Sequence, residues 1–76
     1  MRAWYIYEEG FQVMEGTGRA HFIGVGYGDT FLDACKEYIA RTGEGEIRVD
    51  DFGNEYACDW GCEWFPTLRQ AQESFG

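Results

Sequence analysis

GDTFLDACKEYIARTG, residues 28–43, predicts an amphipathic helix with both ends marked in the sequence. Asp29 and Thr30 offer an N-cap, and Asp33 follows Thr30 in the capping-box position. Gly43 is a typical C-cap residue. Apolar residues recur at helical intervals and form one face, made of Phe31, Leu32, Cys35, Tyr38 and Ile39. The rest of the chain must therefore supply a surface that covers this face.

The segment before this helix predicts three strands. Ala3–Tyr7 (AWYIY) is rich in aromatic and β-branched residues, Phe11–Met14 can form a second strand, and Arg19–Val25 a third. The glycine-rich Glu15–Gly18 (EGTG) predicts the turn between the last two strands. We expect a β-meander. The alternating glycines of Gly24–Gly28 indicate a bulge, or a place where another element packs closely.

The segment after the helix predicts more strands and a second helix. The expected strands are Glu46–Asp51, Glu55–Cys58 and Cys62–Phe65. Pro66 and Thr67 open the second helix, with Gln70 in the capping-box position. The predicted fold class is α+β, an antiparallel sheet of about four to six strands with two helices packed on one face. At 76 residues the chain, 1–76, is expected to form a single domain.

The two predicted helices share a residue pattern. Its first copy is Thr30, Phe31, Asp33, Ala34 and Tyr38, and its second, 37 residues later (67 minus 30), is Thr67, Leu68, Gln70, Ala71 and Phe75. A duplicated strand–strand–helix unit would produce this match. Generic capping chemistry, which any two helices can share, would also produce it.

Most of the net charge of −8 lies in one segment. Between residues 44 and 63 Arg48 is the only base, and the acids are Glu44, Glu46, Asp50, Asp51, Glu55, Asp59 and Glu63. The phosphates of nucleic acid would repel such a surface, so we expect no direct binding to nucleic acid. The natural partner is a basic nucleic-acid-binding protein or complex. With 45% hydrophobic and 18% aromatic residues, the chain should fold despite its charge.

Aromatic side chains are interleaved with these acids. We predict a partner-binding surface with acids at its rim and tryptophans as anchors. Its residues are Asp50, Asp51, Glu55, Asp59, Trp60, Glu63 and Trp64. Carboxylates and exposed rings at strand spacing can stand in for the phosphates and stacked bases of a nucleic acid. The alternative that the acids are a solvated face and the aromatics belong to the core stays open.

The cysteines and the single histidine offer a set of zinc ligands, namely His21, Cys35, Cys58 and Cys62. Strong zinc signatures supply two close pairs, whereas only Cys58 and Cys62 are close in sequence. A three-residue turn between the last two strands would let these two thiols face each other, and a two-residue turn would put them on opposite faces. Ordinary buried or strand cysteines are the leading interpretation. A small zinc-binding domain is the alternative, and we expect no cofactor.

The sequence contains no evident catalytic constellation. His21 has no serine or threonine beside it as an activated nucleophile. The glycine-rich loop before the first helix lacks the phosphate-binding patterns, and Asp29 puts negative charge where a phosphate would bind. Asp50 and Asp51 are neighbours and would point to opposite faces of a strand. We therefore expect a non-enzymatic, cytoplasmic protein without a membrane segment, as a monomer or as a homodimer through a free strand edge.

Two resemblances add to this. Residues 1–42, strands followed by GDTFLDACKEYI, resemble the N-terminal part of HicB-type antitoxins through Gly28, Asp29, Thr30, Asp33 and Ala34. That resemblance implies an antitoxin or regulatory module. In size, acidity and α+β layout the whole chain is similar to anti-CRISPR and other phage-encoded anti-defence proteins. This similarity implies our leading hypothesis, a protein inhibitor that binds a basic, CRISPR-type host defence protein and blocks its access to nucleic acid.

Overall fold

The computed structural model describes residues 1–76 and contains seven strands and two helices. In chain order these are β1 (Arg2–Glu8), β2 (Phe11–Val13), β3 (Gly16–Gly18), β4 (His21–Gly28), α1 (Phe31–Thr42), β5 (Glu46–Val49), β6 (Glu55–Asp59), β7 (Cys62–Phe65) and α2 (Leu68–Ser74). Five strands form an antiparallel sheet in the order β4, β1, β7, β6, β5, and β2 pairs with β3 in a separate hairpin. The predicted α+β class, with two helices and an antiparallel sheet, is confirmed.

The predicted meander of the first three strands is wrong. β1 pairs along its length with β4, whereas β2 pairs only with β3. Gly16–Gly18, part of the predicted EGTG turn, is itself strand β3. The third predicted strand begins later and runs on to Gly28. Local propensity located Phe11–Val13 as a strand, but its partner depends on contacts distant in sequence, which propensity does not encode.

Helix α1 lies close on β4 because β4 presents glycines to it. Gly24, Gly26 and Gly28 alternate along the strand, and alternate residues face the same side of a sheet. A methyl group at Gly26 would overlap the main chain of Ala34, and one at Gly24 would overlap the ring of Tyr38. The predicted close approach at these glycines is confirmed. The β1–β4 ladder also contains one register shift, as expected for a bulge.

Both helices begin at the predicted caps. The Thr30 hydroxyl accepts a hydrogen bond from the Asp33 N–H at 3.1 Å, and the Thr67 hydroxyl accepts one from the Gln70 N–H at 3.2 Å. α1 ends at Gly43, whose left-handed backbone (φ 75°) directs its N–H to the carbonyl of Ile39. The residue pattern that repeats after 37 positions (67 minus 30) thus corresponds to the same cap geometry at two helices.

The core is small and lies between α1 and the sheet. Its buried cluster consists of Ile6, Cys35, Ala57 and Trp64. The partly buried residues that pack against it are Ile23, Phe31, Tyr38, Ile39 and Ile47. α2 packs against β7, β1 and β4 and buries Ala71. Only 10 of 76 residues are buried, so each large core side chain carries a considerable share of the stability.

The two edges of the five-stranded sheet differ. At edge strand β4 the Arg41 guanidinium donates to the Val25 carbonyl at 2.5 Å, and the Glu37 carboxylate accepts from the Tyr27 N–H at 3.0 Å. These two α1 side chains are also paired with each other at 2.8 Å. At the opposite edge, no side chain forms a hydrogen bond with the backbone of Glu46–Val49. One edge is thus capped by side chains and the other is open.

Candidate functional site

The β6–β7 hairpin ends in a two-residue turn that projects a tryptophan. Asp59 pairs with Cys62, and the turn residues Trp60 and Gly61 have φ of 54° and 80°. Two positive φ values are typical of a type I′ turn, which favours asparagine and glycine rather than a bulky side chain. Trp60 is 94% exposed. The chain therefore keeps a large ring in water and in a left-handed backbone, where it contributes little to stability.

A cleft of about 420 Å³ opens beside this turn. The residues that line it come from the end of β1, from β2 and from the hairpin, and they are Glu8, Phe11, Val13, Asp59, Trp60 and Cys62. The β2–β3 hairpin positions one wall, since the Phe11 ring lies over Gly18, its partner across the two strands. The cleft thus combines exposed aromatic and aliphatic groups with two carboxylates.

Glu8 is the most enclosed acid of this cleft. One carboxylate oxygen accepts a hydrogen bond from the Trp64 indole at 3.1 Å, and the other lies 3.6 Å from Nε2 of His21. Burial raises the pKa of Glu8, and the charges of Asp59 and Glu9 raise it further, against the opposing effects of Trp64 and His21. No lysine or arginine forms an ion pair with Glu8 or Asp59. The cleft therefore carries acidic groups whose only basic neighbour within the protein is His21.

The cysteines are poorly placed to act as nucleophiles. Burial raises the pKa of Cys62, and the nearby Glu8, Glu9 and Asp59 raise it further, so this thiol stays protonated at neutral pH. Burial also raises the pKa of Cys58, and that of Cys35 to about 12. Cys62 therefore contributes to the cleft as a neutral, weakly polar group.

The structure does not bring the four candidate zinc ligands together. Because the turn has two residues, Cys58 lies opposite Glu63 and points away from the face that carries Cys62. Cys35 is a buried core residue of α1, and His21 is exposed on β4. No group of three or more histidine, cysteine, aspartate or glutamate side chains is placed to hold a metal ion. The same turn length prevents the two hairpin cysteines from forming a disulfide, and all three thiols are free.

Trp64 cannot be the partner-binding anchor predicted from the sequence. It is 3% exposed, packs edge-to-face on Tyr38 and covers Gly45 with its ring. For this residue the competing interpretation, core rather than surface, is correct. Of the two predicted anchors only Trp60 is accessible.

The predicted acids do not form one surface. Asp50 and Asp51 lie in the β5–β6 turn, at the end of β6 opposite Asp59, roughly 15 Å along the strand. Asp50 accepts hydrogen bonds from the N–H groups of Asn54 and Phe52, which lower its pKa and give it a structural role in that turn. Glu55 is paired with Lys36 at 3.4 Å. Asp59 alone of these acids lines the cleft.

Glu63 faces the neighbouring end of β1. Its N–H donates to the Glu9 carboxylate at 2.9 Å, and the Glu9 N–H donates to the Glu63 carbonyl. Burial, then the charges of Glu9 and Asp50, raise the pKa of Glu63. Glu9 also accepts a hydrogen bond from the Ser74 hydroxyl. The Glu9 carboxylate thus links β7 and α2 to the end of β1. Glu8 and Asp59 are the carboxylates that line the cleft.

Sequence reasoning missed the contribution of Glu8, Phe11 and Val13 to this region. The available signal was the acidic pair Glu8 and Glu9, followed by a short strand with alternating apolar residues. This signal did not indicate that the β6–β7 hairpin, some fifty residues later, lies beside these residues. β1 and β7 are joined only by a short ladder at Tyr7 and Glu8, which local sequence does not reveal.

Neither helix is long and apolar enough to cross a membrane. Comparisons with known proteins give no further assignment: no protein-family model, curated protein or solved structure matches the chain.

Proposed function

We propose that this protein is a non-enzymatic inhibitor from a phage or mobile element, which binds a basic, CRISPR-type host defence protein and blocks its access to nucleic acid in the host cytoplasm. The binding site is the tip of the β6–β7 hairpin together with the adjoining cleft. The observation that carries the proposal is Trp60, which is 94% exposed, has a φ of 54° and lies between an acid and a glycine. A side chain held at such cost is best explained by a contact with another molecule.

Charge supports a basic partner. The chain has a net charge of −8, and the carboxylates of Glu8 and Asp59 have no lysine or arginine partner. Such a surface accelerates association with a positively charged protein and repels nucleic acid. The exposed ring and the nearby acids can occupy a channel that otherwise holds stacked bases and phosphates.

The experiment is affinity capture with a matched pair of double variants. Tagged wild-type protein, Asp59→Lys/Trp60→Ala and Asp51→Lys/Phe52→Ala are each incubated with bacterial lysate. Both variants change an acid and an adjacent exposed ring, Phe52 being 90% exposed, but at opposite ends of β6. We expect the wild type and the Asp51/Phe52 variant to capture the same nucleic-acid-binding protein, and the Asp59/Trp60 variant to lose it.

The captured protein is then purified and tested for nucleic-acid binding in a gel-shift assay. Wild-type protein should displace the nucleic acid, and the Asp59/Trp60 variant should not. The proposal fails if both variants capture equally, or if the captured protein keeps its nucleic acid when the inhibitor is in excess. Raising the salt concentration should weaken capture, because exposed charges contribute to it.

A second candidate is a HicB-like antitoxin module. Hydrogen bonds within residues 1–42 favour it. The Trp4 indole donates to the Gly28 carbonyl, and the Tyr38 hydroxyl donates to the Ile23 carbonyl. In that case the partner is a small toxic ribonuclease, and co-expression of the chain should relieve its toxicity. A captured ribonuclease whose growth inhibition is relieved would favour this candidate over the defence-protein inhibitor.

A further inference from the structure

The cleft beside Trp60 has the composition of a receptor for one particular side chain. Glu8 and Asp59 supply carboxylates, and Phe11 and Trp60 supply aromatic surface around the same space of about 420 Å³. This is within the lower part of the range of sites that bury small organic groups. A group that fits must be positively charged at one end and have an apolar body.

The charge of the cleft is not satisfied from within the molecule. The lysine and arginines that form ion pairs do so elsewhere, as Lys36 with Glu55, Arg41 with Glu37, Arg48 with Glu46 and Arg69 with Glu73. His21, 3.6 Å from Glu8, is the only basic side chain paired with a cleft carboxylate, and it is about half exposed. Glu8 is engaged by the Trp64 indole and by His21, whereas the Asp59 carboxylate forms no hydrogen bond or ion pair within the protein. A cation entering from a partner would find Asp59 free to accept its hydrogen bonds.

Arginine suits this cleft better than lysine. A guanidinium is flat, stacks on an indole ring and binds carboxylates through several N–H groups at once. Lysine carries a compact, strongly hydrated charge that gains less from an aromatic wall. The methylene groups of an arginine side chain would in turn contact Phe11 and Val13.

We propose that the cleft receives one arginine side chain of the partner protein, with its guanidinium stacked on Trp60 and hydrogen-bonded to Asp59 and Glu8. This inference rests on the proposed function and names the group that the inhibitor recognises. The arginine is one that would otherwise contact a nucleic-acid phosphate, because both ligands present anionic oxygens to it. The inhibitor thereby replaces the nucleic acid at that residue.

The test is an NMR titration of the ¹⁵N-labelled full chain with three small probes that share the same capped backbone and differ in their side chains. These are N-acetylarginine methylamide, N-acetyllysine methylamide and N-acetylcitrulline methylamide, the last being isosteric with arginine and uncharged. Three tryptophans give three indole signals, and the signal of Trp60 is identified by its loss in Trp60→Ala. The signal of buried Trp64 serves as the internal reference for folding.

We expect saturable shifts of the Trp60 indole and of the Asp59 and Cys62 amides with the arginine probe, and at least about threefold weaker binding of the lysine and citrulline probes. Asp59→Asn and Trp60→Ala should each weaken binding of the arginine probe by about fivefold or more. Asp51→Asn, the control at the opposite end of β6, should leave it unchanged.

The inference is overturned if lysine and arginine probes bind alike, or if the shifts are spread over all acidic residues and Asp59→Asn has no more effect than Asp51→Asn. Failure here is distinguishable from failure of the proposed function. If a partner is captured through Asp59 and Trp60 but the cleft shows no preference for arginine, the inhibitor function stands and the arginine site is refuted. If the cleft binds arginine selectively but the protein does not displace nucleic acid, the arginine site stands and the inhibitor function is refuted.

Discussion

Gly26 of β4 and Ala34 of α1 are in main-chain contact, and there is no room for a methyl group between them. We expect Gly26→Ala to lower the free energy of unfolding by about 2–3 kcal/mol, because helix and strand must separate. Urea denaturation followed by circular dichroism measures this. Gly53→Ala is the control: Gly53 has φ 84° in open space, so only the left-handed backbone is penalised, by about 1 kcal/mol. Equal losses at both positions would contradict the close contact.

The two hairpin tryptophans should differ sharply in their effect on stability. Trp64→Ala removes the largest side chain of the core cluster and is expected to cost about 3–5 kcal/mol. Trp60→Ala removes a ring that is 94% exposed and should change the unfolding free energy by less than about 0.5 kcal/mol. Thermal and urea unfolding distinguish them. A large loss for Trp60→Ala would mean that its ring packs on the protein in solution.

Replacing Trp60 by asparagine should stabilise the free protein. Both turn residues have positive φ, which asparagine adopts more readily than tryptophan, so we expect a gain of about 0.5–1 kcal/mol. Trp60→Val is the comparison, because a β-branched side chain disfavours the left-handed region and should lower stability. The melting temperature should be highest with asparagine at position 60, intermediate with the native tryptophan and lowest with valine. If asparagine and valine behave alike, the backbone of the turn is not the cause.

Arg41 should protect the sheet edge and contribute to stability. Arg41→Ala removes the hydrogen bond to the Val25 carbonyl and the pair with Glu37, so we expect it to lower the free energy of unfolding. Light scattering should also show more self-association, since an edge strand loses its cover. Arg69→Ala breaks another i,i+4 pair, which is exposed and 3.9 Å apart, and should cost less than about 0.5 kcal/mol. Matching effects of the two substitutions would argue against edge protection.

Glu8→Gln should alter the pH dependence of stability. The pKa of Glu8 is raised by burial, so the folded state holds this proton more tightly than the unfolded chain. The contribution of Glu8 to the unfolding free energy therefore falls as pH rises from its ordinary value of 4.5 through its higher folded pKa. Glutamine can still accept from the Trp64 indole and has no such loss. We expect the variant to gain stability relative to wild type between pH 4 and pH 7 in urea titrations; a constant difference would refute this.

The parts of the fold that follow from short-range chemistry were predictable from the sequence. Thr30, Thr67 and Gly43 were identified as caps because each needs only its own position next to an apolar periodicity. The pairing of β1 with β4 was not predictable in this way. It joins two strands that the β2–β3 hairpin separates in the sequence and that become neighbours only after the chain has folded.

The candidate site was predictable only in part, and one geometric detail accounts for this. Trp60 and Trp64 stand in similar acidic surroundings in the sequence, so composition cannot tell them apart. The two-residue turn and the short β1–β7 ladder place Trp64 beside Glu8 and over Gly45, and they leave Trp60 at the tip. A turn one residue longer would have reversed the faces of β7.

The unequal edges of the sheet limit how copies of this protein can assemble. Strand-by-strand growth into a fibre requires two acceptor sides on every unit, and here Arg41 and Glu37 occupy one of them. Addition at β5 would consume the remaining side of both molecules at once. Polymerisation of the five-stranded sheet would therefore end after a single step, as a closed pair, which lets an exposed edge persist without propagating aggregation.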